Sequence, residues 1–168
     1  MEDNYIYQEF SFYLGAISDK IERNYIEKRL INQIIWYDTK AIKKQHMYKR
    51  LTILTIALTG IIPVLSLFAT CKYGFIATIF IALASATSTA IISIVNLCEY
   101  QKLWIEFRST SEILKSILHR YFTKTGEFAS EDEDSKFNLL ISVCEEYMVR
   151  EFQTWTELSH DYKNKEES

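Results

Sequence analysis

The chain has 168 residues and a net charge of −3 at pH 7, which argues against a nucleic-acid binder because such proteins need surplus Lys and Arg to neutralise phosphates. Its four glycines are too few for a phosphate-binding loop, and its three histidines lack the spacing of metal ligands. We therefore expect no nucleic-acid partner, no cofactor, no metal and no enzymatic activity.

The segment before residue 50 has the pattern of an amphipathic helix. Apolar side chains recur within a roughly 120° arc at about 100° per residue. They are Leu14, Ile17, Ile21, Tyr25, Ile31, Ile35 and Ile42. No proline or glycine lies between Ala16 and Thr59. We predict a helix that runs unbroken from Ala16 into the first apolar stretch.

Two long uncharged stretches follow, from Leu51 to Cys71 and from Tyr73 to Cys98, separated only by Lys72. Each is at least as long as the roughly 20 residues that a helix needs to cross a bilayer. Because backbone groups in lipid must bond internally, both stretches can only be helices. The sequence predicts an all-α membrane protein with a transmembrane hairpin over 51–98, its helices spanning 51–71 and 73–98.

Basic residues precede the first stretch, whereas the turn offers only Lys72. These residues are Lys40, Lys43, Lys44, Lys49 and Arg50. Lys and Arg near the ends of membrane helices stay on the cytoplasmic side, so both termini should be cytoplasmic. The N-terminal helix over 1–50 and the C-terminal helices over 99–168 should then form a cytoplasmic helical bundle.

The C-terminal part should contain two helices. Glu99 to Thr123 lacks helix breakers and is predicted to extend the second membrane helix inward, until Gly126 stops it. An acidic loop follows, and a helix begins at Ser135. Its apolar side chains recur at helical spacing: Phe137, Leu140, Ile141, Cys144, Met148, Phe152 and Trp155. Glu145 and Glu146 are expected to be surface charges.

A polar stripe follows the second membrane helix within a roughly 80° arc. It consists of Thr78, Ser85, Thr89, Ser93 and Asn96, of which the last four are the predicted pore-lining residues together with Glu99 one turn further. Hydroxyls and small residues are favoured where membrane helices pack closely, which is one interpretation. In the other, the stripe lines a water-filled pore in an oligomer, and Glu99 forms an acidic ring at its inner mouth.

The first helix contains Pro63, predicted to be either a hinge or a fixed kink because it removes the hydrogen bond to the Thr59 carbonyl.

Motifs around the hairpin resemble those of the SLATT-type two-helix effector domains over roughly residues 20 to 155. The matching residues are Trp36, Tyr37, Asp38 and Ala41, then Ile62, Pro63, Val64 and Leu65, then Trp104, Phe107, Arg108, Thr110, Glu112, Leu114 and Lys115. Such domains accompany bacterial conflict systems, often beside a nucleotide second-messenger synthase or a nucleotide-binding SLOG domain. The resemblance implies an inner-membrane effector that assembles and permeabilises the membrane in anti-phage defence.

The resemblance supplies no catalytic residues. It implies a homo-oligomer in a lipid bilayer, triggered by a nucleotide second messenger or by a nucleotide-sensing partner protein. We expect an oligomeric pore or channel; the alternative is a non-conducting membrane anchor or sensor module that recruits cytoplasmic partners. Asp38 and Arg108 lie about 13 and about 10 residues inside the predicted membrane edge, so we hypothesise a charge pair between the two extensions.

Overall fold

The computed structural model describes residues 5–69, 74–129, 132 and 135–150. Within these ranges every regular element is helical and no strand occurs, which confirms the all-helical prediction. In chain order the elements are α1 (Tyr5–Ala16), α2 (Lys20–Asn24), a π-helical segment (Tyr25–Ile31), α3 (Asn32–Phe68), α4 (Gly74–Leu97), α5 (Tyr100–Thr123), a 3₁₀ turn (Gly126–Phe128) and α6 (135–150).

The first long helix starts later than the sequence predicts. Asp19 is an N-cap: its backbone is extended and its carboxylate accepts a hydrogen bond from the Ile21 N–H at 3.0 Å. From Lys20 the helix is continuous to Phe68, through the π-helical segment. The wider π-helical turn changes which residues before and after it share a face. Ile21 and Ile42 of the predicted apolar arc are exposed.

The predicted extension of the second membrane helix is wrong at one point. α4 ends at Leu97, and α5 begins at Tyr100. Between them Glu99 has a φ of +43°, in the left-handed region that a non-glycine residue rarely adopts. Because no glycine or proline lies nearby, nothing local in the sequence signals this break.

Contacts divide the chain into two compact units, one of which we call the hairpin unit (Asp38–Arg108) and the other the terminal unit (Met1–Tyr37 with Ser109–Ser168). The sequence prediction divides the chain at residues 50 and 98, where the apolar stretches begin and end. The two units are instead defined by contacts between residues, so the two divisions use different criteria. The terminal unit has a helical core with side chains from α1, the π-helical segment, α3, α5, the 3₁₀ turn and α6. Its largest fully buried members are Phe10, Phe128, Ile6, Ile26, Leu30, Ile31, Ile34, Leu114, Ile117, Leu118, Leu140 and Cys144. Phe152 and Trp155 lie outside the described residues.

In the hairpin unit, the less exposed positions recur every three or four residues. On α3 from Leu51 onward and the turn after it they include Leu51, Thr55, Leu58, Ile62, Leu65 and Ala69; on α4 and the turn after it they include Gly74, Ala77, Ile81, Ala84, Ser88, Ile91, Val95 and Cys98. This spacing is typical of two helices packed side by side.

Two helices are long and apolar enough to cross a membrane, and they contain α3 and α4. In the first helix, no residue of the most apolar stretch is buried. In the second helix, 11% of the most apolar stretch is buried. The core helix of a soluble protein would be mostly buried, so these helices do not have that character.

Candidate functional site

The candidate site lies on α4. This helix has three faces, of which one is packed and two are exposed. One face packs in the hairpin and includes Ser88, which is 3% exposed. A second face, about 100° away around the helix, carries the polar stripe. Ser85, Thr89, Ser93 and Asn96 are all exposed there, so the hairpin leaves the stripe uncovered.

The third face of α4 is apolar and exposed. Its larger side chains are Ile79, Phe80, Leu83, Ile94 and Leu97, with exposed fractions of 44% to 73%. These bulky residues lie away from the hydroxyls of the polar stripe, whereas Phe75 and Ile92, which are 80% and 46% exposed, lie on or beside it. Such a separation is typical of a membrane helix that meets lipid on one side and protein on the other.

The hydroxyls of Thr89 and Ser93 in the stripe are satisfied within their own helix. Thr89 Oγ1 donates to the Ser85 carbonyl oxygen at 3.0 Å, and Ser93 Oγ donates to the Thr89 carbonyl oxygen at 2.9 Å. Hydroxyls bonded in this way bring no unpaired donor into lipid. The Asn96 side chain, by contrast, makes no hydrogen bond within the described parts of the chain.

Asn96 and Glu99 line a groove of about 720 Å³ in the hairpin unit. The groove has both apolar and polar lining residues. Among the polar ones, the Tyr48 hydroxyl donates a hydrogen bond to Gln101 Oε1 at 3.1 Å. Lys102 Nζ lies 3.7 Å from Glu99 Oε2. The groove lining is Tyr48, Thr52, Thr55, Ile56, Ile92, Val95, Asn96, Glu99, Gln101, Lys102, Ile105 and Glu106. The structure therefore places two of the five predicted pore-lining residues together at this groove, while Ser85, Thr89 and Ser93 lie elsewhere along α4.

The sequence interpretation missed Ser88, the polar residue that α4 does bury. Its hydroxyl donates to the Ala84 carbonyl oxygen at 2.8 Å. The signal was present in the small residues at Gly74, Ala77 and Ala84, which lie on the same side of the helix as Ser88. Such a row of small residues indicates a close helix contact.

Asp38 and Arg108 form an ion pair in the hairpin unit. The Asp38 side chain is 3% exposed and that of Arg108 is 44% exposed, so the pair lies at the edge of a buried region.

Pro63 is exposed, and α3 continues past it to Phe68. Its role as a hinge or a fixed kink stays a prediction.

A polar cluster in the terminal unit was not expected from the sequence, which treated Glu145 as a surface charge. Arg29 donates two hydrogen bonds to the Glu145 carboxylate, at 3.1 and 3.0 Å, and the Tyr25 hydroxyl donates a third at 3.1 Å. The bonds from Arg29 hold the pKa of Glu145 below its usual value. Burial, together with the Glu145 charge, raises the pKa of Tyr25. The cluster joins the π-helical segment to α6.

The described residues contain no group of three His, Cys, Asp or Glu side chains that could hold a metal ion. The buried Cys144 lies beside the polar cluster, and burial raises the pKa of its thiol to about 12. Thiolate is the nucleophilic form of cysteine, so this thiol is poorly suited to nucleophilic chemistry.

No curated protein and no solved structure matches the chain. A family model, DUF4231, described as a protein of unknown function, matches residues 32–136. The matched range contains α3, α4 and α5, and therefore the polar stripe, the groove and the Asp38–Arg108 pair. Because the match covers more than half of the 168 residues, the chain belongs to the DUF4231 family.

Proposed function

We propose that this protein spans the bacterial inner membrane with its α3–α4 hairpin and assembles into an oligomer that encloses an ion-conducting pore. The observation that carries the proposal is the polar stripe of α4, which is exposed in the single chain and flanked by an apolar face. Both termini are then cytoplasmic, as the basic residues before Leu51 favour.

The exposed apolar surface supports insertion into a membrane. Ile53, Ile56 and Leu67 of α3 are 66%, 64% and 73% exposed, and Phe75 and Leu83 of α4 are 80% and 59% exposed. A soluble monomer rarely exposes contiguous apolar patches of this kind, which mark membrane or protein interaction sites. In lipid, the same side chains meet acyl chains and carry no penalty.

The polar stripe supports assembly. In lipid, helices associate through faces of small and polar residues, and the stripe is such a face. Since two helices cannot enclose water by themselves, a pore requires several copies arranged around an axis. Each copy would then contribute the stripe of its α4 to the lumen.

Asn96 and Glu99 support conduction over simple packing. An amide without partners in lipid costs several kcal/mol, a cost that disappears if it faces water or a neighbouring copy. Glu99 would place a carboxylate near the inner mouth, which favours cations. The Lys102 ammonium, 3.7 Å from the carboxylate, offsets part of that charge.

A non-conducting anchor or sensor is the second candidate function. It is favoured by the hydroxyls of Thr89 and Ser93, which bond to their own helix and do not require water. In that case the polar stripe would only join helices, and the terminal unit would recruit cytoplasmic partners.

The resemblance to SLATT-type effector domains supports a role in anti-phage or conflict systems. A nucleotide second messenger, or a partner protein that senses a nucleotide, would then open the pore. Loss of ion gradients would stop growth of the infected cell. The DUF4231 family itself assigns no role, so this part of the proposal depends on the resemblance.

Ion flux through liposomes tests the proposal. We would compare the unmodified protein with Asn96→Leu and Ala82→Leu on the stripe side of α4, and with Ala90→Leu on its apolar face. Ala90 lies midway between Leu83 and Leu97 of that face, and both alanines are exposed, so the two alanine-to-leucine variants are matched. A pore predicts that flux changes in the stripe variants and is kept in Ala90→Leu. An oligomer without flux would support the anchor, and a monomer in detergent and in nanodiscs would contradict both assembly and pore.

A further inference from the structure

The break between α4 and α5 is a helix end without the residue that usually forms one. The Glu99 N–H donates to the Asn96 carbonyl oxygen at 3.2 Å, a bond to the third residue before it, and Glu99 has a φ of +43°. Many helices end in this pattern, and the residue with the positive φ is usually glycine because a Cβ is unfavourable there. A glutamate at this position therefore has a conformational cost.

The local sequence favours the alternative, in which α4 and α5 form one helix. Residues around Glu99 include leucine, glutamine and lysine, which are good helix formers, and neither glycine nor proline occurs in α4 after Gly74 or in α5. In a continuous helix the Lys102 N–H would donate to the Cys98 carbonyl oxygen. The Leu103 N–H does donate to the Glu99 carbonyl oxygen, at 3.0 Å, but no backbone bond joins Lys102 to Cys98 within the described range 74–129. The broken form thus lacks a bond that the continuous helix would have.

Two polar contacts with α3 stabilise the first turn of α5 in the broken form. The Tyr48 hydroxyl donates to Gln101 Oε1 at 3.1 Å, and Lys44 Nζ lies 5.2 Å from the centre of the Tyr100 ring. Hydrogen bonds and cation–π contacts at exposed sites each contribute little. Weak contacts between helices therefore oppose the local preference for a continuous helix, and we expect the two forms to be close in free energy.

The groove leaves room for the junction to change. Its volume is about 720 Å³, and its lining includes Ile92 and Val95 of α4, before the break, and Ile105 and Glu106 of α5, after it. Close-packed side chains resist rearrangement, whereas this side of the junction faces open space. A rotation of α5 at the break would move two parts of the groove lining relative to each other.

We propose that the α4–α5 junction is a conformational switch with two forms, the broken form of the structure and a continuous helix through Glu99. The existence of two forms follows from the backbone and the sequence, whereas an effect on conduction rests on the proposed function. Asn96 and Glu99 lie at this junction, so a change of form moves the residues proposed for the inner mouth of the pore. A trigger that removes the contacts of α5 with α3 would favour the continuous helix.

Two substitutions at one position test the switch. Glu99→Gly removes the cost of the positive φ and disfavours a continuous helix, whereas Glu99→Ala keeps that cost and favours the helix. Both variants lose the same carboxylate, so a difference between them reports on the backbone. We expect the equilibrium between the two forms to differ about tenfold to a hundredfold between the variants.

Hydrogen exchange of the Lys102 amide, measured by NMR on the full chain in detergent, follows this equilibrium. The amide has its acceptor at Cys98 only in the continuous helix, and a bonded amide exchanges more slowly. We expect severalfold slower exchange in Glu99→Ala than in Glu99→Gly. Equal exchange in the two variants would overturn the proposal.

Glu106→Gly and Glu106→Ala are the matched controls. Glu106 is also a carboxylate beside Lys102, with Oε1 4.0 Å from the Lys102 Nζ atom, but it lies within the regular part of α5. The two control variants should show the same exchange at the Lys102 amide. A difference between them as large as that between the Glu99 variants would mean that helix propensity alone accounts for the result, which contradicts the switch.

Ion flux through liposomes tests whether the switch acts on the pore. Different flux in Glu99→Gly and Glu99→Ala supports the switch as the gate, because both variants lack the same charge. Equal flux with different exchange would overturn the role in gating and leave two forms without it. If the unmodified protein passes no ions, the proposed conduction fails, and exchange at Lys102 decides the switch independently.

Discussion

Asp38 on α3 and Arg108 on α5 form an ion pair whose two members differ in exposure. The Asp38 side chain is 3% exposed, whereas the Arg108 side chain is 44% exposed. A buried carboxylate without a cation is costly, but a half-exposed guanidinium without a carboxylate remains hydrated. Loss of the arginine should therefore do more harm than loss of the aspartate charge.

We predict that Arg108→Gln lowers the free energy of unfolding by about 2 to 4 kcal/mol, a value reduced from that of a fully buried pair because Arg108 reaches solvent. Asp38→Asn should cost about 1 kcal/mol, since it leaves no buried charge. The double variant should resemble Asp38→Asn more than Arg108→Gln. Denaturant unfolding in detergent, followed by circular dichroism, measures all three.

Arg150→Gln is the control for this series. Arg150 pairs with Glu146 on the surface, where both side chains are more than 60% exposed. Such pairs contribute little, so we expect a change within about 0.5 kcal/mol. If Arg108→Gln proves as mild as Arg150→Gln, the ion pair does not compensate a buried charge.

Parts of this fold were predictable because their signal is local. The absence of charge over 51–71 and 73–98 predicts two long apolar helices, and the structure ends these helices at Phe68 and Leu97. Asp38 and Arg108 were paired from their similar distances to the apolar stretches. Composition and distance along a helix were sufficient in both cases.

Other parts depend on contacts between residues distant in the chain. Arg29 and Glu145 are 116 positions apart, so no local pattern relates them. The turn at Glu99 has a positive φ without the glycine that usually marks one. The π-helical segment likewise has ordinary helix-forming residues. In these places tertiary packing overrides local preference.

We predict that Glu145→Gln destabilises the terminal unit, by about 1 to 2 kcal/mol at neutral pH, because it removes the acceptor charge for Arg29 and Tyr25. The lowered pKa of Glu145 means that its contribution is present above the usual value of 4.5 and is lost as pH falls through the lower folded value. Unfolding curves of the two proteins should converge once the pH has fallen below that lower folded value. Hydrogen exchange of the π-helical segment should also rise in the variant at neutral pH.

Glu146→Gln is the matched control for that experiment. Glu146 is the next residue along α6, and its side chain is 65% exposed beside Arg150. It should change stability by less than about 0.5 kcal/mol, with little dependence on pH. Equal effects of the two substitutions on the free energy of unfolding would show that the polar cluster does not stabilise the protein more than an exposed ion pair does.

We predict that the Cys144 thiol resists alkylation in the folded protein. It is fully buried, and the pKa of about 12 leaves very little thiolate at pH 8. Peptide mapping by mass spectrometry after iodoacetamide treatment should find Cys144 unmodified until the protein is unfolded in denaturant. Rapid modification under folding conditions would mean that α6 separates readily from the core.

Two glycines of the hairpin unit should respond in opposite directions to alanine. A Cβ at Gly74 would overlap the Ala69 carbonyl oxygen, which is backbone and cannot move aside cheaply, whereas a Cβ at Gly60 meets nothing within 4 Å. We expect Gly74→Ala to cost about 1 to 3 kcal/mol, because the new methyl group would push Gly74 and Ala69 apart. Gly60→Ala should stabilise α3 by about 0.5 to 1 kcal/mol, because alanine loses less backbone entropy in a helix. Thermal midpoints in one detergent compare them, and a rise in both would contradict the close approach of Gly74 to Ala69.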